Sequence, residues 1–403
     1  MSQPVGPLDI IAPATPNTSA HSLPHSPSFD LSHGFLPSQD PIDQLPSEFA
    51  AWEILAKELP KLLTSDQTRA TIQQLPPFPT QQLTTPAECE RAMLILSYLG
   101  HAYVWNKAQA INHIPKVLAL PWYGVSQRLG RPPVLSYASY ALYNWRRLDK
   151  TKPIALGNIV LLQNFLGGLD EEWFILIHVD IEAKAATGLS AMLPAIKATQ
   201  SKDEHKLLEC LTTMNHSLRS MCDVLDRMPE GCDPYIYFNR VRPYIHGWKD
   251  NPALPNGLLY EGVDAYQNKP QFFKGETGAQ STIIPTYDAT LGVQHKDTPL
   301  KKHLDEMRCY MPLQHRTFLE TLEKTSAVRT AVLNSKEKQL GNAYNECIEL
   351  IMRFRKTHLH YAAQYIQKQS QVSIANPTQV GTGGTPFMAY LREHLQETES
   401  YRI

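Results

Sequence analysis

The sequence lacks paired cysteines, a basic leader, a long apolar run and any excess of charge. Six cysteines (Cys89, Cys210, Cys222, Cys232, Cys309 and Cys347) are scattered with no CxxC pair. That argues against a structural zinc site and gives no disulfide framework. The first Lys is Lys57 and no Arg precedes it. Neither a secretory signal nor an Arg-rich presequence fits, so a cytoplasmic location is expected. The longest apolar stretches, such as Trp173–Ile177, fall far short of the ~20 residues of a membrane-spanning helix. Lys+Arg 38 against Asp+Glu 39 leaves a net charge of −1. No global positive field would gather nucleic acid or an anionic membrane, and neither partner is expected. GxSxG and HExxH are missing, and the glycines of Gly381–Gly384 have neither the spacing nor the lysine of a phosphate-binding loop.

What is present is enough to build a full core. The chain has 403 residues, 42% of them hydrophobic, which suits two domains or one large domain with a satellite. Nine of the 31 prolines fall in the first 46 residues, together with His21, His25 and His33. Residues 1–46 are expected to form a disordered Pro/Ser-rich arm, with Phe29–Leu36 docking near its end.

Beyond the arm, helical spacing dominates and strand alternation is almost absent. Leu45–Leu63 places Phe49, Trp52, Leu55 and Leu59 on one face, and Ala87–Trp105 does the same with Ala92, Leu96, Leu99 and Tyr103. The expected fold class is all-α.

Three segments could carry chemistry. Within Lys338–Gln367, Leu340, Tyr344, Cys347, Ile351, Phe354, His358, Tyr361 and Tyr365 recur in four- and three-residue steps. His358 in that stripe reads either as a hydrogen-bonded core histidine or as an axial iron ligand on an apolar face. His360 points elsewhere, toward solvent. A second helix starts near Asp170 as N-cap and aligns Phe174, His178 and Glu182 at i, i+4 and i+8. That set is either a pocket wall or an ordinary helix edge. In Tyr235–Trp248, Arg240 and Arg242 lie among Tyr235, Tyr237, Phe238 and Tyr244, a mixture suited to a small anionic or aromatic ligand. Surface arginines beside core tyrosines are the other reading. The glycine run Gly381–Gly384 reads as a flexible lid or linker.

Several stretches resemble the indoleamine 2,3-dioxygenase family of haem enzymes. "HLDEMRCYMPLQHR" (His303–Arg316) is similar to one of that family's two signatures. "RPPVLSYASYALYNWRRLD" (Arg131–Asp149), "IHGWKDNPALPNGLLYEG" (Ile245–Gly262) and "GTGGT" (Gly381–Thr385) match family segments in the same order. The other signature is partly kept: "KGETGAQST" (Lys274–Thr282) stands where the family has a Gly-Gly-Ser-Ala-Gly-Gln-Ser run.

The resemblance implies a small helical domain, 47–165, capping a large haem-binding domain, 166–403, with a mobile loop at 370–386. It implies haem b, with His358 as proximal iron ligand and Arg355 and Asp288 supporting the haem on that side. Arg242 matches the arginine that receives the substrate carboxylate, beside Tyr237 and Phe238. Tyr137, Tyr140 and Ala141 match positions of the indole pocket, Thr277 replaces the signature serine, and Thr382 matches the threonine of the closing loop. Tyr140 and Tyr237 replace Cys and Phe of the mammalian enzymes, and Glu276 adds a charge, so a narrower, more polar pocket is expected. Alignment on Glu182 puts Phe174 on the distal phenylalanine and His178 on the distal position. Alignment on Trp173–Phe174 would put Ile177 there. We favour His178, because related tryptophan 2,3-dioxygenases place a histidine there that bonds the indole N–H.

The implied activity is cleavage of the indole C2–C3 bond of L-tryptophan by O2, giving N-formyl-L-kynurenine, by a monomer. A non-catalytic haem protein that binds O2, or a dioxygenase for another indole, are the alternatives.

Overall fold

Thr85 and Glu88 begin the central helix of the N-terminal half with a capping box. The Thr85 hydroxyl accepts the Glu88 N–H at 3.2 Å, and the Glu88 carboxylate accepts the Thr85 N–H at 2.9 Å. Pro86 occupies the first turn, where its missing N–H costs nothing. The helix Pro86–Trp105 is buried on every face from Cys89 to Val104 and forms the axis of the small-domain core. The expected helix Leu45–Leu63 is broken into Ser47–Phe49, Ala50–Lys57 and Leu59–Leu62. Pro60 explains the last break, because a proline fits only the first turn of a helix. Buried ion pairs Arg91–Glu53 and Arg131–Glu90 brace this half.

The C-terminal half is built on three long helices. Leu169–Ser201 turns at Lys202, which adopts a left-handed φ of 56°, into Glu204–Leu225, and both pack with Lys338–Ala362. The expected N-cap at Asp170 does not form; Gly168 precedes the helix, and Asp170 instead accepts the Asp233 N–H at 2.6 Å. Gly188 is required where it stands, since a Cβ there would lie 1.9 Å from the Tyr287 hydroxyl of the helix Ile283–Leu291. Among the described residues, two small sheets interrupt the helices: His113–Ile114 runs parallel to Leu259–Tyr260, and Trp145–Arg147 antiparallel to Ile159–Leu161. The architecture is all-α.

The structure, a computed structural model, describes residues 30–372 and 387–403. Thr382, the glycine run and most of the arm therefore lie outside the described residues. From residue 30 onward the arm is packed rather than free. Phe35 and Leu36 are buried, and Phe35 sits 4.6 Å from the His315 ring. The two halves are fastened by His101, whose Nδ1–H donates to the Tyr244 carbonyl at 2.7 Å while Nε2 accepts the Leu135 N–H at 3.0 Å. A carbonyl can only accept, so this bond also sets the tautomer.

Candidate active site

The helix stripe of Lys338–Gln367 changes its task midway. Leu340, Tyr344, Cys347 and Ile351 are fully buried in the core, whereas Phe354, His358, Tyr361 and Tyr365 line a cavity of about 650 Å³. His358 presents its ring to this space, so it is accessible yet lies deep in the protein. Burial, with His178 nearby, pushes its pKa down to about 4. At neutral pH its imidazole is therefore an uncharged donor. His360 does not line the cavity.

The facing wall comes from Leu169–Ser201. Phe174 and His178 line the cavity, while Ile177, between them, is buried in the core cluster. Of the two candidate distal positions, His178 is the one that faces the space. Its Nδ1–H donates to the Phe174 carbonyl at 2.7 Å, which leaves Nε2 as an acceptor. Burial holds its pKa below the ordinary histidine value, against the effect of that bond. One turn on, Glu182 Oε1 accepts the Tyr137 hydroxyl at 2.9 Å and the Ser281 hydroxyl at 3.0 Å. Burial pushes this carboxyl up to about 7. Phe174 packs 4.5 Å from Tyr237 and 4.8 Å from His178, closing an aromatic corner.

The Lys274–Thr282 loop supplies Glu276 and Thr277 to the lining. Its course is set by a backbone crossing: a Cβ on Gly275 would fall 2.2 Å from the Gly247 nitrogen, and one on Gly247 equally close to Gly275. Only two glycines allow that approach. Glu276 is buried, and burial pushes its carboxyl up to about 8.

A charged network borders the His358 side. Arg355 donates to Asp288 at 2.5 Å and to the Thr398 hydroxyl. His295 bridges Glu397 at 2.6 Å and Asp288 at 3.3 Å. Burial opposes charge on Asp288, but Arg355 and His295 outweigh it and hold the carboxyl below its usual value. The two carboxylates in turn outweigh burial of His295 and raise its pKa.

Three expected pocket residues, Arg242, Tyr140 and Ala141, sit off the lining. Arg242 is fully buried, with its guanidinium 5.2 Å from the Phe238 ring, and burial lowers its pKa to about 10. Tyr140 turns into the small-domain core, with ring centroids 6.4 Å from both Tyr98 and Phe174. It lies in the layer behind Phe174, and Ala141 is buried in a separate cluster. Sequence reasoning missed His295, His394 and Glu397. No spacing could reveal them, because His295 and Glu397 are 102 positions apart.

Comparison with known proteins gives the family of the chain. The family model described as indoleamine 2,3-dioxygenase matches residues 25–401. The chain belongs to the indoleamine 2,3-dioxygenase family. It is 34% identical over 372 residues to indoleamine 2,3-dioxygenase 1 of Rattus norvegicus, covering 89% of this chain and 91% of that protein. Indoleamine 2,3-dioxygenase 2 of Homo sapiens is 32% identical over 379 residues, 91% of this chain and 92% of its own length. The 6-hydroxytryptophan 2,3-dioxygenase of Fusarium equiseti is 31% identical over 382 residues, 90% of this chain and 93% of its own length. The protein is thus a dioxygenase of a haem-using family. Among the described residues, no helix is long and apolar enough to cross a membrane.

Proposed function

We propose that the protein binds haem b at His358 and cleaves the indole C2–C3 bond of L-tryptophan with O2 to give N-formyl-L-kynurenine. The observation that carries this reading is the pair of histidines, His358 and His178, lining one cavity from two different helices. The residues fit the group. The cavity lies within the ~300–1,000 Å³ range of cofactor sites, its walls include Ile181, Leu225, Ile283 and Phe354, and Arg355, Lys301 and Arg308 offer positive charge for carboxylates. Among the described residues, no cluster of three or more His, Cys, Asp or Glu side chains is arranged to hold a bare metal ion. One neutral imidazole in an apolar cavity suits a haem iron.

Haem, when bound, supplies the redox-active iron that O2 chemistry requires. The chain supplies position and dryness. His358 holds the iron, and Arg355 with Asp288 braces that side. His178 Nε2 accepts the indole N–H, which fixes the ring plane. Arg242, one layer behind the lining beside Tyr237 and Phe238, supplies the positive charge that draws the substrate carboxylate, and Tyr137, Phe174, Tyr237 and Thr277 shape the pocket. Tyr140 acts from the second layer by backing Phe174. Both oxygen atoms enter the product, one on each carbon of the broken bond, so no external reductant is consumed.

Incubating the haem-loaded protein with L-tryptophan and O2 tests the reading, with product followed by near-ultraviolet absorbance and mass spectrometry. Stoichiometric N-formylkynurenine is expected. A stable oxygen complex with no product would instead mark an O2-binding protein. A second substrate class is favoured by the Fusarium relative, whose name specifies 6-hydroxytryptophan. Ring-substituted tryptophans belong in the same assay.

A further inference from the structure

The wall facing His358 has a hydrogen-bond polarity set from behind. Tyr137, Ser281 and His178 line the cavity, while Glu182 does not. Glu182 is fully buried and gathers two hydroxyls on one oxygen: Tyr137 at 2.9 Å and Ser281 at 3.0 Å. Both hydroxyls must donate to that oxygen, so their single protons are committed away from the cavity. Each then offers the cavity only lone pairs. Ser281 Oγ already receives the Ile283 N–H at 3.4 Å, and Ser281 also lies against the Tyr137 hydroxyl, whose second lone pair remains for the cavity.

Protonation of Glu182 does not invert this arrangement. Its second oxygen, Oε2, is buried and has no hydrogen-bond partner among the described residues. A proton settles there, and Oε1 goes on accepting from both hydroxyls. The polarity therefore holds on both sides of the Glu182 pKa of about 7.

We propose that Glu182 is a positioning residue that fixes Tyr137 and Ser281 as acceptors, so that this wall selects substrates with a hydrogen-bond donor beyond the indole N–H. This rests on the reading of the cavity as an indole site, in which His178 Nε2 takes the ring N–H. The second donor has two sources, a hydroxyl on the benzene ring of the indole or the α-ammonium. A group that can only accept, such as a methyl ether, meets lone pair against lone pair and leaves the Tyr137 oxygen unsatisfied.

The test is equilibrium binding to the full-length haem-loaded protein, read from the haem absorbance without turnover. The probes are L-tryptophan, its 5-, 6- and 7-hydroxy derivatives with their methyl ethers, and indole-3-propionate, which lacks the ammonium. In one arm, the hydroxyl or the ammonium should tighten binding at least about tenfold over the partner without it, as expected when a buried polar group is otherwise left unmet. Tyr137→Phe should reduce that ratio to within about twofold. Glu182→Gln can keep a carbonyl oxygen at the Oε1 position with its NH2 in the place of the unpartnered Oε2, so it should leave the ratio within about twofold of the native value. Glu182→Leu removes the acceptor and frees both hydroxyl protons, so it should improve methyl-ether binding relative to the hydroxy compound. Should Glu182→Leu fail to fold, Tyr137→Phe and Ser281→Ala carry the test. Ratios unchanged in Tyr137→Phe, or no donor preference in the native protein, overturn the proposal while leaving the indole reading intact. A native protein that binds none of the indoles overturns that reading and the proposal with it.

Discussion

The two sides of the cavity bury carboxyl groups with opposite results. On the His358 side, Asp288 is held below its usual pKa by Arg355 and His295, which lie against it. On the His178 side, Glu182 has only the Tyr137 and Ser281 hydroxyls, and burial pushes it up to about 7. Burial is shared, and the partners decide the sign. One side is an ionic brace that ties the C-terminal helix Phe387–Glu399 to the cavity through Glu397 and Thr398. The other is a nearly neutral wall suited to reading an uncharged ring.

The largest break in this comparison is loss of His358 itself. His358→Ala should purify with little or no haem, while His360→Ala, off the lining, should keep a normal haem complement and Soret band. Equal haem loss in both variants would contradict the ligand assignment.

Next comes the brace. Asp288→Ala leaves the Arg355 charge buried without its main partner, which typically costs about 3–5 kcal/mol. Glu182→Gln removes no ion pair and keeps the shape, so about 1–2 kcal/mol is expected for a disturbed buried hydrogen bond. Denaturant unfolding of both variants checks the contrast. Equal costs would mean that the two walls do not differ as their partners indicate.

How much of this could be read from the sequence depends on the range of the interaction. The stripe from Leu340 to Tyr365 and the Phe174–His178–Glu182 row were legible, because helical spacing alone puts those side chains on one face. Helix ends were less so: Pro60 broke an expected helix, and Gly168 displaced Asp170 as the residue before the second. Of the ionic brace, the Arg355–Asp288 pair was named only through the family resemblance, and His295 and Glu397 were hidden because they lie 102 positions apart. The acceptor polarity of Tyr137 was equally hidden, because it depends on Glu182, 45 positions away. Placement of Tyr140 and Arg242 behind the lining was not legible either. A family match conveys which position a residue holds, and only packing decides which layer it occupies.

Arg242 sharpens the comparison by adding a charge behind the neutral wall. Removing one member of a buried charge pair costs about 2–5 kcal/mol. Arg242→Ala should therefore keep haem and CO binding yet lose at least about 30-fold in kcat/KM for L-tryptophan. Tryptamine, which has no carboxylate, should lose far less. Equal losses for the two substrates would remove the carboxylate from the role.

The smallest expected effect is a shift in the acidic limb of the pH profile. A solvated histidine acceptor would be lost as pH falls through ~6.5. Burial lowers the His178 pKa, so its Nε2 stays an acceptor further into the acid range, and the limb should fall below ~6.5. The groups around His178 support this. Phe174 supplies a carbonyl to Nδ1, Tyr137 packs its ring 6.0 Å away, and His358, itself held near 4, carries no charge at neutral pH. Glu182, at about 7, and Glu276 on the cavity lining, at about 8, are nearby groups that titrate close to neutrality, so Glu182→Gln combined with Glu276→Gln serves as the control that removes their contribution. In that background any remaining acidic limb belongs to His178, and His178→Ser should abolish it. The same variant should relieve the clash with 1-methyl-tryptophan, whose methyl group points where the native imidazole accepts the N–H. The measurement is kcat/KM for L-tryptophan from about pH 5 to 8, with the 1-methyl to unmethylated ratio alongside. A native limb at or above ~6.5 that persists in His178→Ser would show that the imidazole is not the acceptor, and the contrast between the two walls would then rest on Glu182 alone.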